Sequence, residues 1–264
     1  MSDALRFEWV RLTTVRSTYW LLGMAVLFPA LLAGLIGYAT RNDDVDPDLL
    51  AGLVTSGVAF FPLPLPAVLL AILGVLAVGH EYRHGTMRPT LTALPNRSTL
   101  LAAKLIVIAA TSFVTALVIL LVDYALIAVT HGAPEFGGSA MASFVGFVVL
   151  LVLWGVLGVA ATLLTRLTAL VLPLLFVLPL VIEPVLQGLP YMIHALEPLQ
   201  PAARFLPFSA GAQLAQPMDL AAVADEFGSA GPQPLSRAVN GAVFATFTAL
   251  VLAPAWLLFE KRDA

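Results

Sequence analysis

Residues 80–84, HEYRH, carry the spacing in this chain that most clearly suggests chemistry. On a helix, His80 and His84 would lie on one face and could hold a zinc ion, with Glu81 as the general base of a metalloprotease. Gly85 follows at once and Pro89 soon after, so the helix that must present both ligands is expected to end there. A catalytic zinc ion usually has three protein ligands, and the pattern supplies two.

The composition limits the kinds of protein that could present this motif. Of the 264 residues, 60% are hydrophobic and 11% are charged, and the mean hydropathy is +0.96. Soluble domains carry about a quarter charged residues, so a soluble enzyme, a nucleic-acid-binding protein and a disordered chain are all disfavoured. The chain has no cysteine, which excludes disulfides, thiolate nucleophiles and cysteine-ligated metals.

Six apolar runs are long enough to cross a bilayer as helices, for which about 20 residues are needed. They are much longer than the roughly 10-residue alternating strands of an outer-membrane barrel. The sequence therefore predicts an all-α polytopic membrane protein, with residues 1–264 forming a single transmembrane domain. The predicted spans are residues 19–39, 58–78, 105–129, 141–164, 170–186 and 239–259.

The basic residues predict the orientation of these spans, because Lys and Arg near span ends remain in the cytoplasm. With six spans, ten of the 13 basic residues fall on the side of the two termini. We therefore expect a multi-pass protein of the cytoplasmic membrane, surrounded by lipid, with both termini in the cytoplasm. His131 and His194 then lie on the outer side, so the zinc motif has no third ligand and we assign no metal site. The ten are Arg6, Arg11, Arg16, Arg83, Arg88, Arg97, Lys104, Arg166, Lys261 and Arg262, and the other three are Arg41, Arg204 and Arg237.

Three segments outside the spans are more than connections. In residues 1–18, Leu5, Trp9 and Leu12 recur at helical spacing, which predicts an interfacial helix, although a basic tail that only sets orientation would look similar. Residues 79–104 are the most charged stretch and are expected to form a docking surface, the alternative being a solvated loop. Residues 187–238 begin too apolar for a free loop and too rich in proline for a span, which predicts an external re-entrant helical segment.

Asp123 and Glu183 are the ionisable residues well inside the apolar runs. Such carboxylates usually face a bundle interior or an aqueous cavity. We expect them either to line the outer part of a pathway or to hold the external re-entrant segment, and the alternative is simple placement near the interface. The chain has no Gly-Lys pair, hence no phosphate-binding loop of the Walker A type, and no G-x-S-x-G motif.

Taken in order along the chain, these features resemble the permease subunit of type-2 ABC transporters. The N-terminal segment, the stretch from Glu81 to Lys104, the sequence Leu206-Pro207-Phe208 after Glu183, and the closing FEKRD all match the family pattern. The matching positions are Glu8, Trp9, Arg11 and Arg16 in the first segment, and Glu81, Arg83, Gly85, Thr86, Leu91, Pro95, Arg97 and Lys104 in the second.

The resemblance implies an exporter subunit that works by alternating access and is not itself an enzyme. A coupling helix in the loop 79–104 would dock on a separate ATP-binding subunit, which would hold ATP and Mg²⁺, and this chain would need no cofactor. A second permease copy, most simply a homodimer, would complete the transporter, and no nucleic acid is involved. The residues implied in coupling are Glu81, Arg83, Gly85, Thr86 and Arg97. An intramembrane zinc metalloprotease built on His80, Glu81 and His84 is the alternative.

Overall fold

A computed structural model describes residues 1–56, 63–84, 97–218 and 235–261. Within these ranges the chain forms helices and turns and contains no strand. Six helical stretches in these ranges are long and apolar enough to cross a membrane, as the sequence predicts. The coupling helix expected in the loop 79–104 would fall largely on residues 85–96, which lie outside the described ranges.

The helices are numbered here in chain order. Those long enough to span are α2, α4, α5, α6, the continuous pair α7 and α8, and α11. Their bounds are α1 Ser2–Thr14, α2 Arg16–Ala39, α3 Pro47–Val54, α4 Leu65–His84, α5 Arg97–His131, α6 Gly138–Thr165, α7 Thr168–Val177, α8 Glu183–Met192, α9 Gln200–Ala203, α10 Pro207–Leu214 and α11 Arg237–Lys261.

Prolines set the start of the second span and reshape the fifth. Helix α4 begins at Leu65 rather than at the predicted position 58, with Pro66 in its first turn, where a missing N–H costs no hydrogen bond. The fifth span does not break at its prolines. Instead a π-helical turn, Leu178–Ile182, joins α7 to α8. This wider turn accommodates Pro179 within it and Pro184, which has no N–H group to donate, just after it.

The centre of the bundle lies where α4 crosses α6 at very short distance. A Cβ atom added to Gly158 would lie 2.1 Å from the carbonyl oxygen of Ala71, and one added to Gly74 would lie 2.3 Å from the carbonyl oxygen of Gly155. Small residues at helix crossings let backbones approach and gain packing that lipid cannot offer. Beside this crossing, Trp154 is fully buried and packs against aromatic rings from α10 and α11.

Helix α1 lies along the ends of α4 and α5 that are predicted to be cytoplasmic. The extended residue Val15 separates it from α2. Its buried residues are Ala4, Glu8 and Leu12. Of the predicted stripe of Leu5, Trp9 and Leu12, Leu12 is buried and Trp9 is 53% exposed. Glu8 turns inward to meet a lysine of α5. Placement of α1 at a lipid interface stays a prediction.

Candidate functional site

Four charged side chains come together where α1, α4 and α5 meet. Glu8 and Arg11 come from α1, Glu81 from α4 and Lys104 from α5. We call these four residues the charge cluster. Glu8, Glu81 and Lys104 are each no more than 3% exposed, which is rare for charged residues unless they are paired.

Lys104 is the centre of the charge cluster. Its Nζ atom lies 2.8 Å from Oε1 of Glu8 and 3.0 Å from Oε1 of Glu81. It also donates to the carbonyl oxygen of Ala77 at 3.3 Å. An ammonium group has three donors and no acceptor, so these contacts use its full capacity. One side chain of α5 thus binds α1 and α4 at the same time.

Arg11 closes the charge cluster from the other side. Its guanidinium pairs with Oε1 of Glu81, lies 3.6 Å from Oε2 of Glu8, and donates to the carbonyl of Ala77. Burial lowers the pKa of Arg11 from its ordinary value, and the carboxylate of Glu8 offsets part of that effect. Two cations face two carboxylates, so the cluster is neutral overall, which is the condition under which buried charges are tolerated.

The helical periodicity of the sequence places the groups that each helix contributes on one face of that helix. Glu8 and Arg11 are three residues apart on α1, and Ala77 and Glu81 are four apart on α4, so each pair lies on one helix face. Lys104 stands in the third turn of α5. Lys104 is 2% exposed and has almost no contact with bulk water, and the inward carboxylates of α1 and α4 solvate it instead.

The other residues predicted for coupling are distributed around this end of the bundle. Arg83 is exposed near the end of α4. Arg97 begins α5, and its Nη1 atom donates to the carbonyl oxygens of Phe259 and Glu260, at 3.5 and 3.3 Å, in the last turn of α11. Gly85 and Thr86 lie outside the described residues. Glu81 does not face outward to a partner protein, because Lys104 and Arg11 surround it.

The zinc hypothesis receives no support. Within the described residues, no group of three or more histidines and acidic residues could hold a metal ion. The carboxylate that would act as the general base, Glu81, is paired with Lys104 and Arg11 instead.

The two carboxylates inside the spans have opposite surroundings. Glu183 is 4% exposed and accepts hydrogen bonds from the backbone N–H groups of Phe208 and Ser209, at 2.8 and 2.7 Å, and from the Ser209 hydroxyl. It thereby caps α10, whose first-turn N–H groups would otherwise lack acceptors. Asp123 is 0% exposed, and neither carboxylate oxygen makes a hydrogen bond within the described part of the chain.

Comparison with known proteins gives one family. A family model described as "ABC-2 family transporter protein" matches residues 4–187, more than half of the chain. The match includes all four residues of the charge cluster and ends within α8. No curated protein matches the chain.

Proposed function

Because the chain belongs to the ABC-2 family of transporter proteins, we propose that it is the permease subunit of an ATP-driven exporter. Family membership makes it a multi-pass membrane subunit of an ABC transporter, not itself catalytic, and implies pairing with an ATP-binding subunit. The proposal adds that two copies of this chain form a homodimer in the cytoplasmic membrane. ATP and Mg²⁺ are held by the partner, and both termini lie in the cytoplasm.

The observation that carries the proposal is the anchoring of both sides of the loop between α4 and α5. On the α4 side, Glu81 is bound to α1 and α5 through the charge cluster. On the α5 side, Arg97 is bound to the end of α11. A force applied to the residues between positions 84 and 97 would therefore reach four helices at once. This is the property that a docking segment for a moving ATPase needs.

The strength of the charge cluster supports this role. Ion pairs inside a protein are screened far less than those at its surface, and removing one partner leaves an uncompensated buried charge. Separating α1 from α4 and α5 would therefore break these ion pairs and leave the four charged groups without their partners in a poorly solvated position. The cluster makes these three helices a single mechanical unit at the end of the bundle that the ATP-binding subunit would face.

The exposed side of α1 fits a place at the cytoplasmic membrane surface. Phe7, Trp9 and Val10 are between 40% and 53% exposed, while Arg6 is exposed beside them. Aromatic residues prefer the boundary between headgroups and acyl chains, and basic residues favour the anionic inner leaflet. This composition supports a cytoplasmic N-terminus.

ATP hydrolysis by the reconstituted transporter tests the proposal. The chain would be placed in lipid vesicles with its ATP-binding partner subunit, and the wild-type chain is expected to stimulate hydrolysis. Glu81→Ala is expected to reduce the rate to that of the ATP-binding subunit alone, because the α4 anchor of the loop is lost, while the chain stays in the membrane.

Glu197→Ala is the control, since the Glu197 side chain is 62% exposed near the opposite end of the bundle. It should stimulate hydrolysis as the wild type does. Full stimulation by a membrane-inserted Glu81→Ala chain would contradict the role of Glu81. Absence of any stimulation by the wild-type chain would contradict the proposed function as a whole.

A further inference from the structure

Asp123 is a buried acid that has no hydrogen-bond partner among the described residues. Its side chain is 0% exposed, so bulk water does not reach it in this conformation. Both carboxylate oxygens are without a hydrogen bond from any described residue. Glu183, the other carboxylate within a span, accepts three hydrogen bonds. The difference in donors means that one environment stabilises an ionised carboxylate and the other does not.

The residues one turn before and after Asp123 on α5 are apolar. On its own helix the neighbours one turn away, Ile119 and Ile127, are both fully buried. Ile127 belongs to a small apolar cluster with Ala33 of α2 and Leu53 of α3, whereas Ile119 belongs to the main core. Asp123 therefore lies on a face that joins these two apolar clusters.

The basic groups at this end of the bundle are engaged elsewhere. The guanidinium of Arg41 donates to the Tyr38 carbonyl at 2.9 Å and stacks on the Tyr38 ring. Arg237 donates to carbonyl oxygens of Ser139 and Gln216, at 2.9 and 2.7 Å. The remaining ones also have contacts of their own: the His131 ring with Thr40 and Thr130, His194 with Glu197, and Arg204 with the Phe205 ring.

The helices packed on α5 bring no compensating cation to Asp123. The sequence of α6 contains no charged residue, and α3 contributes only the acidic Asp48. Residues 57–62, GVAFFP, and residues 219–234 contain no basic residue. The charged groups of α1 and α4 lie near the same end of the bundle as Lys104. Lys104 is 19 residues from Asp123, or roughly 28 Å along α5. Among the described residues, the titratable groups of this end are Tyr38 of α2, Arg41, Asp43, Asp44 and Asp46 before α3, Asp48 of α3, Tyr124 and His131 of α5, Glu135 before α6, Glu183 and Tyr191 of α8, His194, Glu197 and Arg204 between α8 and α10, and Arg237 of α11.

An ionised carboxylate in this position would have no contact with bulk water and neither a donor nor a cation from the described part of the chain, and such a state is strongly disfavoured. A proton is the one ligand that the site can take without repacking, because it needs no volume. We propose that Asp123 is a proton-binding site, protonated in the conformation described here and deprotonated when separation of α3 from α5 admits water. In that step the carboxyl O–H bond breaks, water takes the proton as hydronium, and the carboxylate keeps the electron pair.

We assign the release step to separation of α3 from α5. Helix α3 has eight residues, and it packs on the small apolar cluster rather than on the main core. It is followed by Ser56, which has a φ of 62°, a left-handed conformation that non-glycine residues seldom adopt. Separating α3 from α5 would open the small apolar cluster that contains Ile127, one turn from Asp123. The release step rests on the proposed function, because it is assigned to the transport cycle; the bound proton does not.

Infrared spectroscopy of the purified chain in lipid vesicles at neutral pH tests the bound proton. A protonated carboxyl group gives a C=O stretching band that is separate from the carboxylate bands and shifts in D₂O. We expect this band in the wild type, its loss in Asp123→Asn, and its retention in Glu183→Gln, which alters the carboxylate that has three donors. Absence of the band in the wild type, or its persistence in Asp123→Asn, would overturn the proposal.

Thermal unfolding gives a second readout that does not depend on the spectra. If the folded chain binds a proton that the unfolded chain has lost at neutral pH, the midpoint falls as pH rises from 6 to 8. Asp123→Asn should reduce this slope, and an unchanged slope would contradict a bound proton.

The release step needs the complete transporter. In vesicles containing the ATP-binding subunit, trapping with a non-hydrolysable ATP analogue is expected to abolish the infrared band, and its persistence would overturn the release step. Failure of the proposed function would be recognised separately, as absence of stimulated ATP hydrolysis with the band of the isolated chain still present.

Discussion

Lys104→Met is expected to destabilise the folded chain by about 3–5 kcal/mol, the range measured when one partner of a buried ion pair is removed. Methionine matches the length of the lysine side chain but carries no charge. The carboxylates of Glu8 and Glu81, which both lie within 3.0 Å of the ammonium group, would then face each other with only Arg11 between them. Helix α1 should detach first, because it buries less of its surface than α5 does.

The measurement is thermal unfolding in a single detergent, together with proteolysis of the N-terminal segment. Arg6→Met is the matched control, since Arg6 is an exposed cation on α1, and it should leave the midpoint unchanged. Adding Glu8→Gln to Lys104→Met should recover much of the loss, because Arg11 and Glu81 then remain as a neutral ion pair. Equal midpoints for Lys104→Met and Arg6→Met would show that the charge cluster does not stabilise the bundle.

Gly158→Ala is expected to lower the free energy of unfolding by about 3 kcal/mol or more, which is the upper end of the range that overpacking usually costs. The added methyl group would meet the carbonyl oxygen of Ala71 at 2.1 Å. This neighbour is backbone, so it cannot rotate away as a side chain could, and α4 and α6 must move apart. That movement would loosen the packing around Trp154 and Leu157 of α6.

Gly23→Ala is the control for this prediction. Gly23 lies inside α2, and a Cβ atom there would meet nothing within 4 Å, so the change should be neutral or slightly stabilising through helix propensity. The two variants add the same methyl group to a spanning helix and differ only in what it meets. A midpoint for Gly158→Ala equal to that for Gly23→Ala would contradict the close crossing of α4 and α6.

The number of spans could be predicted from the sequence because it depends on a local property. A run of about 20 apolar residues must be helical in lipid whatever it packs against. The charge cluster depends instead on contacts between residues 8, 81 and 104, which are far apart in the chain. No periodicity relates them, although Glu8 in the middle of an otherwise apolar helix face was a local sign that a cation would be opposite.

The same distinction applies to Glu183. The capping of α10 by Glu183 joins residues 25 positions apart. The prolines around Glu183 indicate an irregular helix. They do not indicate that Glu183 accepts hydrogen bonds from the first N–H groups of α10.

The central claim is that the charge cluster makes α1, α4 and α5 move together when ATP binds to the partner subunit. The chain has no cysteine, so spin labels can be attached to single introduced cysteines. Arg6 on α1 and Ile106 on α5 are exposed sites for them. A label at exposed Leu167 in each of the two copies reports whether the transporter has changed state.

The decisive measurement is the distance between the labels at positions 6 and 106, with and without the ATP analogue, in the reconstituted complex. The account predicts that this distance stays constant in the otherwise wild-type chain while the distance between the two copies changes, and that Lys104→Met broadens the distance between positions 6 and 106. A shift in that distance as large as the change between the copies would show that α1 moves separately, and would contradict the account.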